Sequence, residues 1–348
     1  VSATTGFDAV LVLSFGGPDK PDDVRPFLEN VTRGRGVPPE RLDEVAEHYF
    51  HFGGVSPINA LNKAMIAAVE TGLDRAGIDL PVYFGNRNWH PMVEDTLARI
   101  HADGHRRVLV FPTSAWGGYS GCRQYDEDIA RALASLGSDA ADMFVRKLPQ
   151  YWQHPAMTAS WADSIAAAKA QLPEELRDEA RLVFTAHSIP LSADRAAGPP
   201  ADGGHLYSRQ VAAASRLAAQ AAGFAEFDQV WQSRSGPARI PWLEPDICDH
   251  LETVAARGVR AVIVCPIGFI SDHLEVVWDL DNEGLDKAQE LGLGYARAKT
   301  VGTDPRFIAM ITELIAEQCS GDVEFRLGMT DNGAPCARGC CEPVRRPT

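Results

Sequence analysis

The chain has 348 residues, 45% of them apolar and 23% charged, the balance of a globular protein with a real core and length enough for two domains. A formal net charge of −14 excludes nucleic acid as the main partner, because a phosphate backbone needs a basic surface. Seven cysteines, odd in number and crowded toward the C-terminus, do not match a secreted disulfide framework.

The opening "VSATTGFDAVLVLSFGG" has no basic leader, and its apolar run is too short to span a bilayer. The expectation is a cytoplasmic protein without a transmembrane segment; composition leaves peripheral membrane contact open. Residues 7–15 read as a first strand that breaks at "FGGPD", and a helix over 61–76 follows "FGGVSP". A helix over 92–102 then leads to a strand over 106–114, and "WGGYSG" leads to a helix over 123–136. The second part of the chain gives a helix at 155–171, a strand at 180–188, a helix at 208–222, strands at 227–233 and 260–269, and a helix at 305–318. None of the strands alternates strictly, so both faces of a parallel sheet are expected to be covered by helices.

"VLVLSFGGP" and "RLVFTAHSIP" break alike at their C-terminal ends, as do "RRVLVFPTSA" and "RAVIVCPIGF". The predicted architecture is therefore α/β, with two similar halves at 1–150 and 151–319 and a tail at 320–348. In such folds the ligand sits beyond the C-terminal ends of the strands. The Gly-Gly breaks fit neither the dinucleotide fingerprint nor the P-loop, so a nucleotide cofactor has little support.

Three segments could carry chemistry. In "SDHLEVVWDLDNEG", Glu275, Asp279 and Glu283 fall at i, i+4 and i+8, one stripe of a helix with no Lys or Arg in the stretch. A solvated acidic face is the ordinary reading of a charge run. Here Val276 and Leu280 flank the acids on one side and Leu274, Val277 and Trp278 on the other, which suits a row of oxygen ligands for a divalent cation or for protons. His187 ends a strand; a lone histidine there is more often structural, but strand ends are where α/β sheets hold ligands. His273 would project from another face of the acidic helix. The tail carries Cys336, Cys340 and Cys341 within six residues, where Pro335 and Gly339 favour a turn that lets thiolates converge on a soft metal; a disordered reduced tail is the alternative.

Taken together, "VLVLSFGGP", "FGGVSPIN", "VYFGNRNWHPMVED", "FTAHSIP", "VWQSRSGPARIPWLEPD" and "CPIGFISDHLEVVWDLDNE" resemble the ferrochelatase family, whose members insert Fe²⁺ into a porphyrin. The resemblance covers nearly the whole chain. It implies two Rossmann-like domains with a porphyrin cleft between them, a catalytic pair His187 and Glu275, and an outward row of Asp279 and Glu283 for the Fe²⁺ substrate. The position that is Tyr in some bacterial members is Phe15 here, which cannot ligate iron. Porphyrin-contact positions match Arg33, Tyr49, Ser56 and Tyr125, with Arg35, His48 and Arg87 nearby. Members without a membrane anchor or apolar lip commonly use coproporphyrin III, so coproheme is the expected product and a monomer the expected form. A protoporphyrin IX enzyme, a Co or Ni tetrapyrrole chelatase and a non-catalytic haem or iron carrier are the alternatives. Some members also hold a [2Fe–2S] cluster on three C-terminal cysteines and one internal cysteine. Cys336, Cys340 and Cys341 resemble that trio, the internal position aligns near Ser160, and Cys122 and Cys319 are both open as fourth ligand.

Overall fold

The computed structural model describes residues 6–34, 36–236, 239–320 and 339–344. Among the described residues, eight strands form two four-stranded parallel sheets. The first holds β1 (Ala9–Ser14), β2 (Val82–Asn86), β3 (Arg107–Pro112) and β4 (Phe144–Lys147) in the order β2-β1-β3-β4. The second holds β5 (Arg181–His187), β6 (Asp228–Gln232), β7 (Ala261–Cys265) and β8 (Gly294–Arg297) in the order β6-β5-β7-β8.

The central strands are apolar on both faces because both faces are covered. Val10 and Val12 of β1 point into the large core shared by the two sheets, while Ala9, Leu11 and Leu13 meet a second layer under the helices Val93–Ala102 and Gln124–Ser135. In the second sheet Leu182, Phe184 and Ala186 face the shared core, and Val183 faces the helix Ile247–Ala256. The helix Pro305–Ser320 returns to close that core, packing on both Ile58–Arg75 and Pro155–Lys169.

The pairing register is repeated between the sheets. Leu11 pairs Val110 and Val110 pairs Lys147; Val183 pairs Val264 and Val264 pairs Arg297. The loops leaving the third strands return alike, Thr113 N–H to Leu13 O at 3.0 Å and Gly268 N–H to Thr185 O at 3.1 Å. Counting along β1 and β5 from these pairs makes Phe15 and His187 equivalent positions. In each half the strand order switches between the first and third strand of the unit, so a crevice opens at the ends of β1 and β3 and of β5 and β7.

Each half also carries a π-helix after its third strand, at Tyr119–Arg123 and at Val277–Glu283. Both show the wide i→i+5 bond: Gln124 N–H reaches Tyr119 O, and Gly284 N–H reaches Asp279 O.

Candidate active site

β5 ends in the crevice at His187. Its Nδ1 lies 2.5 Å from Ser188 O; a carbonyl only accepts, so Nδ1 carries the proton and Nε2 keeps its lone pair. Tyr207 Oη donates to the His187 carbonyl at 2.9 Å and fixes the strand end. Nε2 faces Glu275 Oε2 at 3.8 Å, and Glu275 Oε2 is also 4.0 Å from His273 Nδ1. His273 does not project away from the acids as expected. It sits in extended backbone at the N-terminus of the short helix Leu274–Val276 and turns toward Glu275. Burial lowers its pKa against the opposing pull of Glu275, so it is neutral at pH 7.

The acidic row is not on one continuous α-helix: Glu275 lies on the short helix Leu274–Val276, and Asp279 and Glu283 lie on the π-helix that follows. Asp279, in the middle, accepts from Gln232 Nε2 at 3.1 Å and from Ser233 Oγ. Burial, together with the charges of Glu275 and Glu283, pushes its pKa up to about 7 against those two hydrogen bonds. Glu283 accepts from Trp278 Nε1 at 2.8 Å. Arg297 pairs instead with Asp272 and Asp281, the acids off the row. Glu275, Asp279 and Glu283 are thus met by imidazoles, neutral donors and an indole, which leaves their charge for a cation or for protons.

The first half closes over this row. Leu274 packs among Phe27, Leu42 and Tyr49 of the helices Val24–Val31 and Pro39–His51. Trp278 stacks on His48 with ring centres 3.8 Å apart and 5° between planes, and His51 and Phe52 meet it edge-on. Tyr49 stays protonated, its pKa raised first by burial and then by Glu275.

The other expected contacts fall into two groups. Phe15 is exposed at the end of β1, its carbonyl held by the N–H and the side-chain amide of Asn88 at 3.1 and 3.2 Å. Ser56 is buried against Gly17, where an added Cβ would lie 2.7 Å from the Ser56 Cβ, so the "FGGP" turn requires glycine there. Arg33 is exposed at the end of the helix Val24–Val31. Tyr49 and Tyr125 are buried; the Arg87 guanidinium lies 4.4 Å over the Tyr125 ring and pairs with buried Asp128. Arg35 lies outside the described residues. Sequence reasoning passed over Gln232, Ser233 and Tyr207 as individual residues; the rule that strand ends face the ligand points to the first two.

In the tail, Cys340 and Cys341 are buried with Sγ atoms 3.6 Å apart, and Gly198 N–H donates to Cys341 Sγ at 3.2 Å. Two thiolates on one tetrahedral metal, with bonds of about 2.3 Å, stand about 3.8 Å apart, so this pair fits a shared iron. Cys336 lies outside the described residues, among which no group of three His, Cys, Asp or Glu is gathered tightly enough to hold a metal ion.

Relatives align over this whole framework. The coproporphyrin III ferrochelatase of Nocardia farcinica is 66% identical over 346 residues, covering 98% of each chain. That of Mycolicibacterium smegmatis is 58% identical over 96% of this chain and 99% of its own. SirB from Bacillus subtilis with Fe³⁺ shares the fold at 13% identity, with a TM-score of 0.53 over 90% of this chain and 96% of SirB. The family model described as Ferrochelatase matches residues 7–319, a span that runs from the strand before Phe15 to the helix closing the shared core and takes in both His187 and the acidic row, so the chain belongs to the ferrochelatase family.

Proposed function

We propose that this protein inserts Fe²⁺ into coproporphyrin III to give coproheme, with His187 and Glu275 as the catalytic pair. The names of its close relatives support the porphyrin, and the His187 lone pair facing Glu275 at 3.8 Å carries the chemistry. Insertion exchanges two pyrrole N–H protons for one Fe²⁺. His187 Nε2, whose lone pair is free, accepts one of the protons as general base. Glu275 takes the second proton or contacts the iron as it sheds water, and Asp279 and Glu283 continue the row outward. Phe15, at the equivalent position in the other half, offers the ring an apolar surface. Arg33 and Ser56 supply a cation and a hydroxyl for propionates, with Tyr49 and Tyr125 behind them.

The tail reading is a [2Fe–2S] cluster on Cys336, Cys340 and Cys341. Of the two internal candidates, Cys122 is the better supported as fourth ligand. Its neighbour Arg123 donates to Cys340 O at 3.0 Å, and Lys147 Nζ lies 3.3 Å from its Sγ, a cation that favours the thiolate. Cys319 stands on the helix Pro305–Ser320, where burial raises its pKa. When bound, such a cluster supplies one-electron chemistry, which insertion of Fe²⁺ does not use. We assign the protein a cytoplasmic setting and a monomeric form. Among the described residues no helix is long and apolar enough to cross a membrane.

Anaerobic assays with Fe²⁺, Co²⁺ and Zn²⁺ on coproporphyrin III and protoporphyrin IX test the proposal. We expect Fe²⁺ insertion into coproporphyrin III, favoured at least about tenfold in kcat/KM. His187→Ala should bind porphyrin normally and lose about 10²–10⁴-fold in insertion. No Fe²⁺ insertion into either porphyrin overturns the reading, and tight haem binding without turnover favours a carrier.

A further inference from the structure

The catalytic carboxylate is not held by its own contacts. Glu275 meets His187 and His273 only at 3.8 and 4.0 Å, too far for hydrogen bonds, so its place is set through the backbone that carries it. That backbone runs from Asp272 through the short helix Leu274–Val276 into the π-helix at Asp281.

Arg297, the last residue of β8, grips both ends of it. Its Nε and Nη2 donate to Asp281 Oδ1 and Oδ2 at 2.5 and 2.8 Å, and its Nη1 and Nη2 donate to Asp272 Oδ1 and Oδ2 at 3.1 and 3.0 Å. The Arg297 side chain is only 15% exposed, and four charge-assisted bonds from one planar guanidinium fix position as well as angle. Asp272 lies three residues before Glu275, and Asp281 six residues after it. Two anchors on either side of a catalytic residue, tied to one rigid strand end, leave it little freedom to drift.

The first half uses the same register position in a looser way. Lys147 ends β4 as Arg297 ends β8, and the residue after each donates to the third strand at 2.8 Å, Leu148 to Val110 and Ala298 to Val264. Lys147 Nζ also reaches its own π-helix and the helix beyond, donating to Cys122 O at 2.8 Å and Asp126 Oδ2 at 2.7 Å. A strand-end cation under a π-helix is therefore common to both halves. Only in the half that carries Glu275 is it an arginine fork that also takes the loop before the helix.

We propose that Arg297 is a positioning residue for metal insertion: by bridging Asp272 and Asp281 it sets where Glu275 stands relative to His187. The inference rests on the assignment of that pair, and it predicts a loss in the chemical step rather than in porphyrin binding. A misplacement of about 1 Å costs on the order of a hundredfold in such a step.

The test compares wild type, His187→Ala, Arg297→Lys and Asp281→Asn. Porphyrin affinity is read by fluorescence quenching, kcat and KM by anaerobic insertion, and folding by circular dichroism and thermal unfolding. Arg297→Lys keeps the charge and loses the fork. It should lower kcat about a hundredfold while porphyrin Kd and KM move by less than about twofold. Asp281→Asn, which leaves the arm to Asp272, should lower kcat about tenfold and is read in place of Arg297→Lys if that variant does not fold. A folded variant that keeps kcat within about twofold, or loses Kd in proportion to kcat, overturns the inference. If His187→Ala keeps full insertion, the underlying pair is wrong; if only the Arg297 and Asp281 variants do, the positioning role alone fails.

Discussion

Asp279 is the residue whose protonation the fold changes most usefully. Gln232 and Ser233 donate to it, yet burial and two neighbouring carboxylates raise its pKa to about 7. The unfolded chain gives up this proton near the ordinary aspartate value, about 4, while the folded chain keeps it to about 7. Between those values the native state binds more protons, so stability contributed at this site falls as pH rises through the window and is level above it. Asp279→Asn removes that penalty. Chemical denaturation should show the variant gaining about 1–2 kcal/mol more over wild type at pH 8 than at pH 5, after allowance for residual solvent access. An equal gain at both pH values would mean the carboxyl titrates normally. His273 shifts the other way for the same reason, since burial disfavours its charged form. His273, one of the two imidazoles around Glu275, is thus kept neutral.

At the scale of elements, the π-helix decides where the acids point. An i→i+5 turn commonly arises as one extra residue in an α-helix, a local cost retained at functional sites. Deleting Asn282, the residue before Glu283, should let the segment relax toward α geometry and swing Glu283 out of line with Asp279. The expected result is a protein as heat-stable as wild type with insertion reduced at least about tenfold; unchanged insertion would show that the wide turn is not needed. The sequence could not announce this turn, because a spacing of four residues marks an α-helical stripe equally well. Strands β1, β3, β5, β6 and β7 were legible as short apolar runs. β2, β4 and β8 were not, since "VYFGN", "FVRK" and "GYAR" are short and mixed in polarity, and each lies at a sheet edge. The strand end at His187 and the acid stripe beginning at Glu275 were visible as positions, whereas their meeting at 3.8 Å is a matter of tertiary structure. The partnerships of Gln232 and Ser233 with Asp279, and of Arg297 with Asp272 and Asp281, could not be read, because sheet register rather than local spacing brings them together.

Across the whole molecule, the tail turn touches both halves. Arg123 of the first half donates to Cys340 O, while Cys341 N–H donates to Gly198 O of the second at 3.1 Å and Gly198 returns a bond to its sulfur. On the cluster reading, protein purified without oxygen is brown and contains acid-labile sulfide. Cys340→Ser and Cys122→Ser should each lose or shift the visible absorption, and Cys319→Ser should not. A colourless wild type sinks the cluster itself; an unaltered spectrum in Cys122→Ser sinks only the fourth ligand. The repeated register has a further result. The position that is His187 in one half is Phe15 in the other, so on the proposed reading a flat ring between them would meet a base on one side and an oily wall on the other. Under the proposed reaction both protons must then leave by the side on which the metal arrives. One Fe²⁺ entering as two H⁺ depart carries no net charge past the acidic row, so the exchange is electroneutral, and the row works as an antiport built from side chains rather than as a one-way drain.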